Sequence, residues 1–244
     1  MLKFLKKIYR KEMFFPGVIG VFINPFFLAR RNLWKGIENS SHYLGGKLLD
    51  VGCGSKPYQN LFQVSEYIGL DIDSDLARQR DVADYFYDGT IFPFEDASFD
   101  SVLCNQVLEH VFNPDAFLEE IARVLKNQGT LLLTIPFVWD EHEQPWDYAR
   151  YSSFGLAHLL HKHGFEIQFQ KKLAADLSVV FQLLNAYLFK VTKNWPQLFS
   201  LAFTFIIMAP ISILGLVLGK ILPSNSDLYL DNLVVATKLV EESE

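Results

Sequence analysis

From residue 46 onward, short β-rich apolar runs alternate with stretches of helical periodicity, the pattern of a parallel sheet with helices on its faces. Lys47–Val51 reads as a buried strand stopped by Gly52-Cys53-Gly54. Residues 67–70 form a second strand ending at Asp71, and residues 99–104 another. After Asn113-Pro114, the apolar positions Phe117, Leu118, Ile121, Val124 and Leu125 recur at helical spacing, with Glu119, Glu120 and Arg123 expected toward water. Residues 129–135 return as a strand ended by Pro136. Ser153 is placed to cap a helix running to about His163, and residues 166–169 read as strand. Residues 230–238 carry the β-branched run of a closing strand.

Two apolar stretches break this alternation. Residues 13–29 are interrupted by Pro16, Gly17, Asn24 and Pro25 and run straight into Arg30-Arg31 with no small-residue cleavage site, which excludes a signal peptide. Residues 198–218 are 21 positions without a charge, long enough to cross a hydrocarbon core of about 30 Å. If that segment alone crossed, the closing strand would emerge on the far side and could not join the sheet. The other candidate, residues 173–189, carries Asp176, Gln182 and Asn185 and reads as amphipathic. The expectation is a helical hairpin dipping into one leaflet with Pro210 as its bend. The other reading is a hairpin buried in a dimer interface or on its own domain.

Composition supports this division. Half of the 244 residues are apolar, Phe supplies 22 of them and mean hydropathy is +0.14, which excludes disorder. Cys53 and Cys104 are too few for a disulfide scaffold and lack zinc-site spacing, so a reducing cytosol suits them. The net charge of −6 divides into +7 over the first 35 residues (Lys3, Lys6, Lys7, Arg10, Lys11, Arg30, Arg31 and Lys35 against Glu12) and −13 elsewhere. A basic, aromatic-rich segment lying in lipid headgroups is expected there, against the plainer reading of a helix packed on the domain. The expected organisation is a basic and apolar N-terminal segment (1–45), a catalytic domain (46–172 and 228–240) and a hydrophobic helical insertion (173–227).

The strongest chemical signal is Asp50-Val51-Gly52-Cys53-Gly54 at the carboxyl end of the first strand, where open α/β sheets hold ligands. A dinucleotide site would want a third glycine at position 57, which is Pro57. A ligand with an amino-acid portion, a ribose and an adenine fits better. Asp71 lies 19 residues past Gly52, at the distance of a ribose-binding carboxylate.

With Gly69-Leu70-Asp71-Ile72-Asp73, Asp88 five residues before Pro93, Ser98-Phe99-Asp100 and Asn105-Gln106-Val107-Leu108-Glu109-His110, the sequence resembles class I S-adenosylmethionine-dependent methyltransferases of the methyltransferase-11 type over about residues 46–171. The resemblance implies an α/β fold: a Rossmann-like doubly wound sheet, mostly parallel with an antiparallel last strand, plus the apolar helical insertion before that strand. It implies S-adenosylmethionine as cofactor, held by Asp50, Gly52, Cys53 and Gly54 at the methionine end, Asp71 and Ile72 at the ribose, Asp88 and Gly89 at the adenine, and Asn105. Asn127-Gln128-Gly129 departs from the family's Pro-Gly-Gly turn.

The polar and aromatic stretch 136–152 leaves the ligand-bearing edge and is where an acceptor would be held. His142 is the candidate catalytic base, and Asp147, Arg150 and Tyr151 are candidate acceptor contacts; alternatively Asp147 and Arg150 form a structural ion pair that pins the loop. His110 is a second base candidate with a capping or packing role as its alternative. His158, His161 and His163 do not share a helix face, and no metal is assigned. The expected function is methyl transfer to a hydroxyl, carboxyl or amine of a small or lipid-linked acceptor, a glycan among the candidates, at the cytoplasmic face of a membrane. No nucleic acid is expected, and a homodimer is open. The alternatives are a soluble metabolite methyltransferase whose hairpin dimerises, a non-catalytic cofactor-binding scaffold and, disfavoured by Pro57, a nicotinamide enzyme.

Overall fold

The structure is a computed structural model that describes residues 2–240, with side chains from Lys6 onward, so the Lys3 side chain lies outside it. The chain divides into two compact units. One comprises the chain up to Gly36, Val138–Asp140 and Lys172–Asp231; the other comprises Ile37–Phe137, Glu141–Lys171 and the chain from Asn232.

The second unit is built on a seven-stranded sheet. Its strands are β1 (Lys47–Val51), β2 (Glu66–Ile72), β3 (Tyr85–Tyr87), β4 (Phe99–Asn105), β5 (Leu125–Pro136), β6 (Phe165–Leu173) and β7 (Asp231–Lys238), in the order β3-β2-β1-β4-β5-β7-β6. The first five are parallel, with Val51 beside both Leu70 and Cys104. The last two pairings are antiparallel: Leu239 N–H donates to Gly164 O and Leu230 N–H to Leu173 O, while Lys238 lies by Leu125 and Val138 by Leu230. Strands β1 and β4, and β5 from Leu131 on, are almost wholly buried, the mark of a sheet covered on both faces. The core joins Leu49, Val51, Leu70, Val102 and Leu133 to Phe117, Leu118 and Ile121 of one helix (Pro114–Val124) and Leu156 and Leu160 of another (Ser153–Lys162).

Several local expectations are corrected. The cap of the Ser153–Lys162 helix is Ser152, whose hydroxyl accepts from Gly155 N–H. Strand β5 begins at Leu125, straight from the preceding helix, and the expected turn at 127–129 is an irregularity within it, with Gln128 at φ +64°. Arg123 is not a free surface residue. It pairs with Glu120 and donates to the carbonyls of Phe92 and Phe94, fixing the segment after β3.

The other unit is helical. Among its helices are α1 (Leu2–Phe14), α2 (Gly20–Ile23), α3 (Phe27–Ser40, which continues past the boundary), α7 (Ser178–Thr192), α8 (Gln197–Phe203) and α9 (Ala209–Ile221), numbered along the chain after the sheet unit's α4 (Asp75–Arg80), α5 (Pro114–Val124) and α6 (Ser153–Lys162). Residues 13–29 do not lie free along their length: Phe27 and Leu28 are fully buried, while Val18 and Ile19 are exposed. Glu12, the lone acid of this segment, explains the fold here. Its buried Oε2 accepts from Gly17 N–H (2.6 Å) and Gly20 N–H (2.9 Å), and its carbonyl accepts from Asn24 Nδ2.

Pro210 is not a bend. Residues 204–208 take a π-helical turn between α8 and α9, and Ala209 N–H donates to Thr204 O, so the wider turn absorbs the missing proline donor and leaves one continuous helix, Gln197–Ile221. The hairpin turns instead between α7 and α8, near Asn194 and Pro196. The polarity of this helix pair is inverted. Buried positions include Gln182, Asn185, Thr204, Ser212 and Gly215, whereas Leu184, Tyr187, Leu198, Phe199, Phe205, Ile206 and Val217 are exposed. Asn185 Nδ2 donates to Ser212 Oγ (2.9 Å) and Met208 O (3.1 Å), and Gln182 links Ala29 N–H and Pro25 O.

Glu12→Ala removes the acceptor of two backbone donors, at a cost of about 1–3 kcal/mol. Hydrogen exchange is expected to accelerate at Gly17 and Gly20 with little change in the sheet; unchanged protection at both amides would refute the anchoring role of Glu12.

Candidate functional site

The carboxyl ends of β1, β2, β3 and β4 form one edge, and every residue assigned to the cofactor falls on it. Gly52 and Gly54 sit at φ +69° and +53°, in the left-handed region that glycine adopts most readily. A side chain at Gly52 would collide with Val107, so the loop reaches its tight path only with glycine there. Gly52 and Cys53 both donate to Leu70 O, tying the loop to β2. Cys53 is buried among acids, and desolvation pushes its thiol up to about 12, so it fills space rather than acting as a nucleophile.

Asp50 is buried, and its Oδ2 accepts from the Tyr67 hydroxyl at 2.5 Å. Burial raises its carboxyl to about 7, opposed by the Tyr67 hydrogen bond and the charge of Lys56. Lys56 lies across Gly69 and pairs with Asp84 at 2.5 Å, and Asp84 also accepts from Gly69 N–H. Neither Lys56 nor Tyr67 was foreseen as part of the site, because no local pattern marks a side chain that reaches across strands.

Asp71 is the penultimate residue of β2, its Oδ1 accepting from Ile72 N–H, and burial raises its carboxyl. Gly89, at φ +92°, leaves room beside the half-exposed Ile72 side chain. Asp88 is exposed and turned by Thr90, whose N–H and hydroxyl donate to it and hold its carboxyl below the usual range. Asn105 is engaged elsewhere: its Oδ1 accepts from Thr134 Oγ1 (2.7 Å), which orients the turn that follows β4.

On the acceptor side, Asp147 and Arg150 form the ion pair (2.5 and 2.7 Å), so the loop-pinning reading describes their geometry. Burial opposes ionisation of Asp147, but Arg150 and the His142 backbone N–H outweigh it and hold the carboxyl at about 2. His142 joins them, with Nδ1 3.2 Å from Asp147 Oδ2. Tyr151 stands apart: its ring packs on the core, and its carbonyl accepts from Asn232 Nδ2. His142 lies against His110, whose ring centroid is 4.9 Å away.

A folded-state carboxyl raised to about 7 holds a proton that the unfolded chain loses near pH 4, so Asp50 makes stability fall as pH rises between those values, by roughly 4 kcal/mol in all. Asp50→Asn keeps an acceptor for Tyr67 and is expected to flatten this slope and to exceed the wild type in stability at pH 8. Denaturant unfolding at pH 5 and pH 8 tests it, and an unaltered slope would rule out the buried acid.

Residues 49–133 match the model of the methyltransferase domain family. An uncharacterized protein of Methanocaldococcus jannaschii is 39% identical over 105 residues, 42% of this chain and 45% of that protein. The fatty-acid O-methyltransferase of Mycolicibacterium smegmatis is 35% identical over 102 residues, 37% of each chain. The chain thus spans less than half the length of either relative. Among solved structures, the Haemonchus contortus phosphoethanolamine N-methyltransferase 2, in complex with phosphomonomethylethanolamine and S-adenosylhomocysteine, superposes with a TM-score of 0.55 at 17% identity, over 96% of this chain and 57% of that one. The match of residues 49–133 is to part of the chain, and the sheet they help build has the fold of class I S-adenosylmethionine-dependent methyltransferases.

Proposed function

We propose that the protein transfers a methyl group from S-adenosylmethionine to a hydroxyl, carboxyl or amine of a small or lipid-linked acceptor at a membrane surface. The observation that carries the cofactor assignment is the shared edge that joins the glycine loop 52–54, Asp71 and Asp88. The residues fit the group: Gly52 leaves a cradle that a Cβ would fill, and two carboxylates stand ready to accept hydrogen bonds. Gly52, Cys53 and Gly54 would hold the methionine end, Asp71 and Ile72 the ribose, Asp88 and Gly89 the adenine. When bound, the cofactor supplies an electrophilic methyl on a sulfonium. The chain's part is then to orient the acceptor and exclude water, which can supply most of the rate. Asn105 shapes the turn toward Glu109, and Asp147 and Arg150 hold His142, the group that meets the acceptor. Phe112 and Tyr148, exposed and in edge contact at 5.3 Å, offer an apolar wall that suits a lipid or ring on the acceptor.

The membrane reading rests on the inverted helix pair. Small and polar groups inside with large apolar groups outside is how helices pack when hydrocarbon is the solvent. Helix Gln197–Ile221 is long and apolar enough to cross a membrane, and an 18-residue stretch of it has mean hydropathy 2.5. The hairpin turn, however, carries Lys193 and Asn194, which disfavours tip-first insertion. The pair therefore lies along the interface with its exposed face in lipid, on the cytoplasmic side, aided by the exposed Lys6, Lys7, Arg10 and Lys11, each worth about 1 kcal/mol near anionic headgroups.

Asp71→Ala is expected to abolish S-adenosylmethionine binding in calorimetry with the far-UV circular dichroism unchanged; retained affinity would sink the site. The full chain is expected to float with vesicles rich in phosphatidylserine. Exchanging Phe199, Phe205 and Ile206 for Ser is expected to leave it in the soluble fraction, and charge reversal at Lys6, Lys7, Arg10 and Lys11 to weaken flotation at least tenfold. A full chain that stays soluble would end the membrane reading and favour a soluble enzyme whose hairpin dimerises.

A further inference from the structure

Glu109, His110 and His142 bring one potential ligand atom each to within 4.8 Å of one another. Glu109 is fully buried, while the two imidazoles are 18% and 28% exposed, so the cluster has a dry floor and an accessible mouth. Both rings are held through Nδ1. His110 Nδ1 lies 2.6 Å from the Trp146 carbonyl, which only accepts, so Nδ1 carries that ring's proton and Nε2 is its basic nitrogen. His142 Nδ1 lies 3.2 Å from Asp147 Oδ2 and 3.4 Å from Arg150 Nη2, so the Asp147–Arg150 pair fixes that ring's position without assigning its proton. Anchoring of one ring nitrogen by a carbonyl or carboxylate is the support that metal-binding histidines ordinarily have.

The separations at His110 Nε2 are those of groups that could share an ion. His110 Nε2 stands 3.8 Å from Glu109 Oε1 and 4.0 Å from Glu143 Oε2, too far for hydrogen bonds. Ligands bound at about 2.0–2.2 Å to a shared ion stand about 3–4 Å apart, so these separations suit an ion, and the widest gap needs a closure of under about 1 Å. The position is also apt. Glu109 and His110 follow the carboxyl end of β4, and the charge of Glu143, next to His142, is felt by Asp71 on the cofactor edge.

We propose that Glu109, His110 and His142 form a binding site for a divalent transition-metal ion of the Zn2+ or Fe2+ class, whose open positions take the acceptor's oxygen. Two imidazoles and one carboxylate favour such ions over Mg2+ or Ca2+, which prefer oxygen ligands throughout. The second clause rests on the methyltransferase reading. A hydroxyl held there gives up its proton to solvent more readily, leaving the oxygen electron pair to attack. His142 then acts through the ion, as a ligand, rather than as the base expected from sequence.

The test is equilibrium dialysis of the chelator-stripped full chain against Zn2+, with bound metal measured by mass spectrometry. About one ion per chain is expected. His110→Ala and His142→Ala are each expected to weaken binding at least tenfold, with metal-free thermal unfolding close to the wild type. Because Glu109 is buried, Glu109→Gln is informative only if that unfolding is preserved, and the two partly exposed histidines carry the test. A wild-type chain that binds no stoichiometric Zn2+, or histidine variants with undiminished affinity, would overturn the site. Calorimetry of the stripped chain with S-adenosylmethionine separates the two readings: a chain that binds the cofactor but fails to take up Zn2+ in the dialysis removes the metal site alone, and one that takes up Zn2+ but fails to bind the cofactor removes the acceptor role.

Discussion

Closure of the sheet constrains everything between β6 and β7. The inserted helices leave at Leu173 and return at Leu230, and the hydrogen bond between those two residues ties the ends of the excursion together. A chain fixed at both ends in one sheet cannot cross a bilayer an odd number of times. The apolar helix Gln197–Ile221 has the length for a crossing, but its partner α7, with 15 residues, extends only about 22 Å. Length alone therefore does not make this segment a span, because the return of the chain to the sheet sets a second condition.

The polarity of the pair is a separate feature of the insertion. In water, a helix gains by burying its large apolar residues, at about 25 cal/mol per Å². Here Asn185, Ser212 and Thr204 take the inside and Phe199, Phe205 and Ile206 the outside. The interior is stabilised by hydrogen bonds between side chains and by the close approach of Gly215 to Phe181, where a Cβ would stand 2.8 Å from its neighbour. Such packing holds the helices together through hydrogen bonds and close backbone approach rather than through burial of large apolar side chains.

What was legible in the sequence follows from the range of the interactions involved. Strand β1, the glycine loop and the spacing to Asp71 are local consequences of one strand, one turn and the next strand, and they are visible in order along the chain. Ser152 and Ser153 are adjacent hydroxyls, and only backbone geometry distinguishes the one that caps. Strand β3 is three residues long, too short for an alternating pattern to register. The direction of the Arg123 guanidinium, the bridging by Lys56 and the meeting of Glu109 with His142, 33 positions later, depend on pairings between distant segments, which periodicity does not encode. Pro210 misled for the opposite reason: its local signal is strong, and a neighbouring π turn absorbs it.

The charge of the cofactor edge links these observations to chemistry. Asp50, Asp71, Asp84 and Asp88 crowd the ends of β1 to β3, with Lys56 already committed to Asp84. Burial raises the cost of ionising both Asp50 and Asp71, and the charge of Asp71 adds to it at Asp50 and that of Glu143 at Asp71. A pyrophosphate brought to this edge would meet carboxylates where dinucleotide sites offer helix dipoles and unpaired amides. A ligand with an ammonium and a sulfonium does the reverse: it relieves the repulsion and lets Asp50 ionise at neutral pH. The same acids whose ionisation is costly at this edge thus favour a cationic ligand, and Pro57 and electrostatics argue independently for the same class of cofactor.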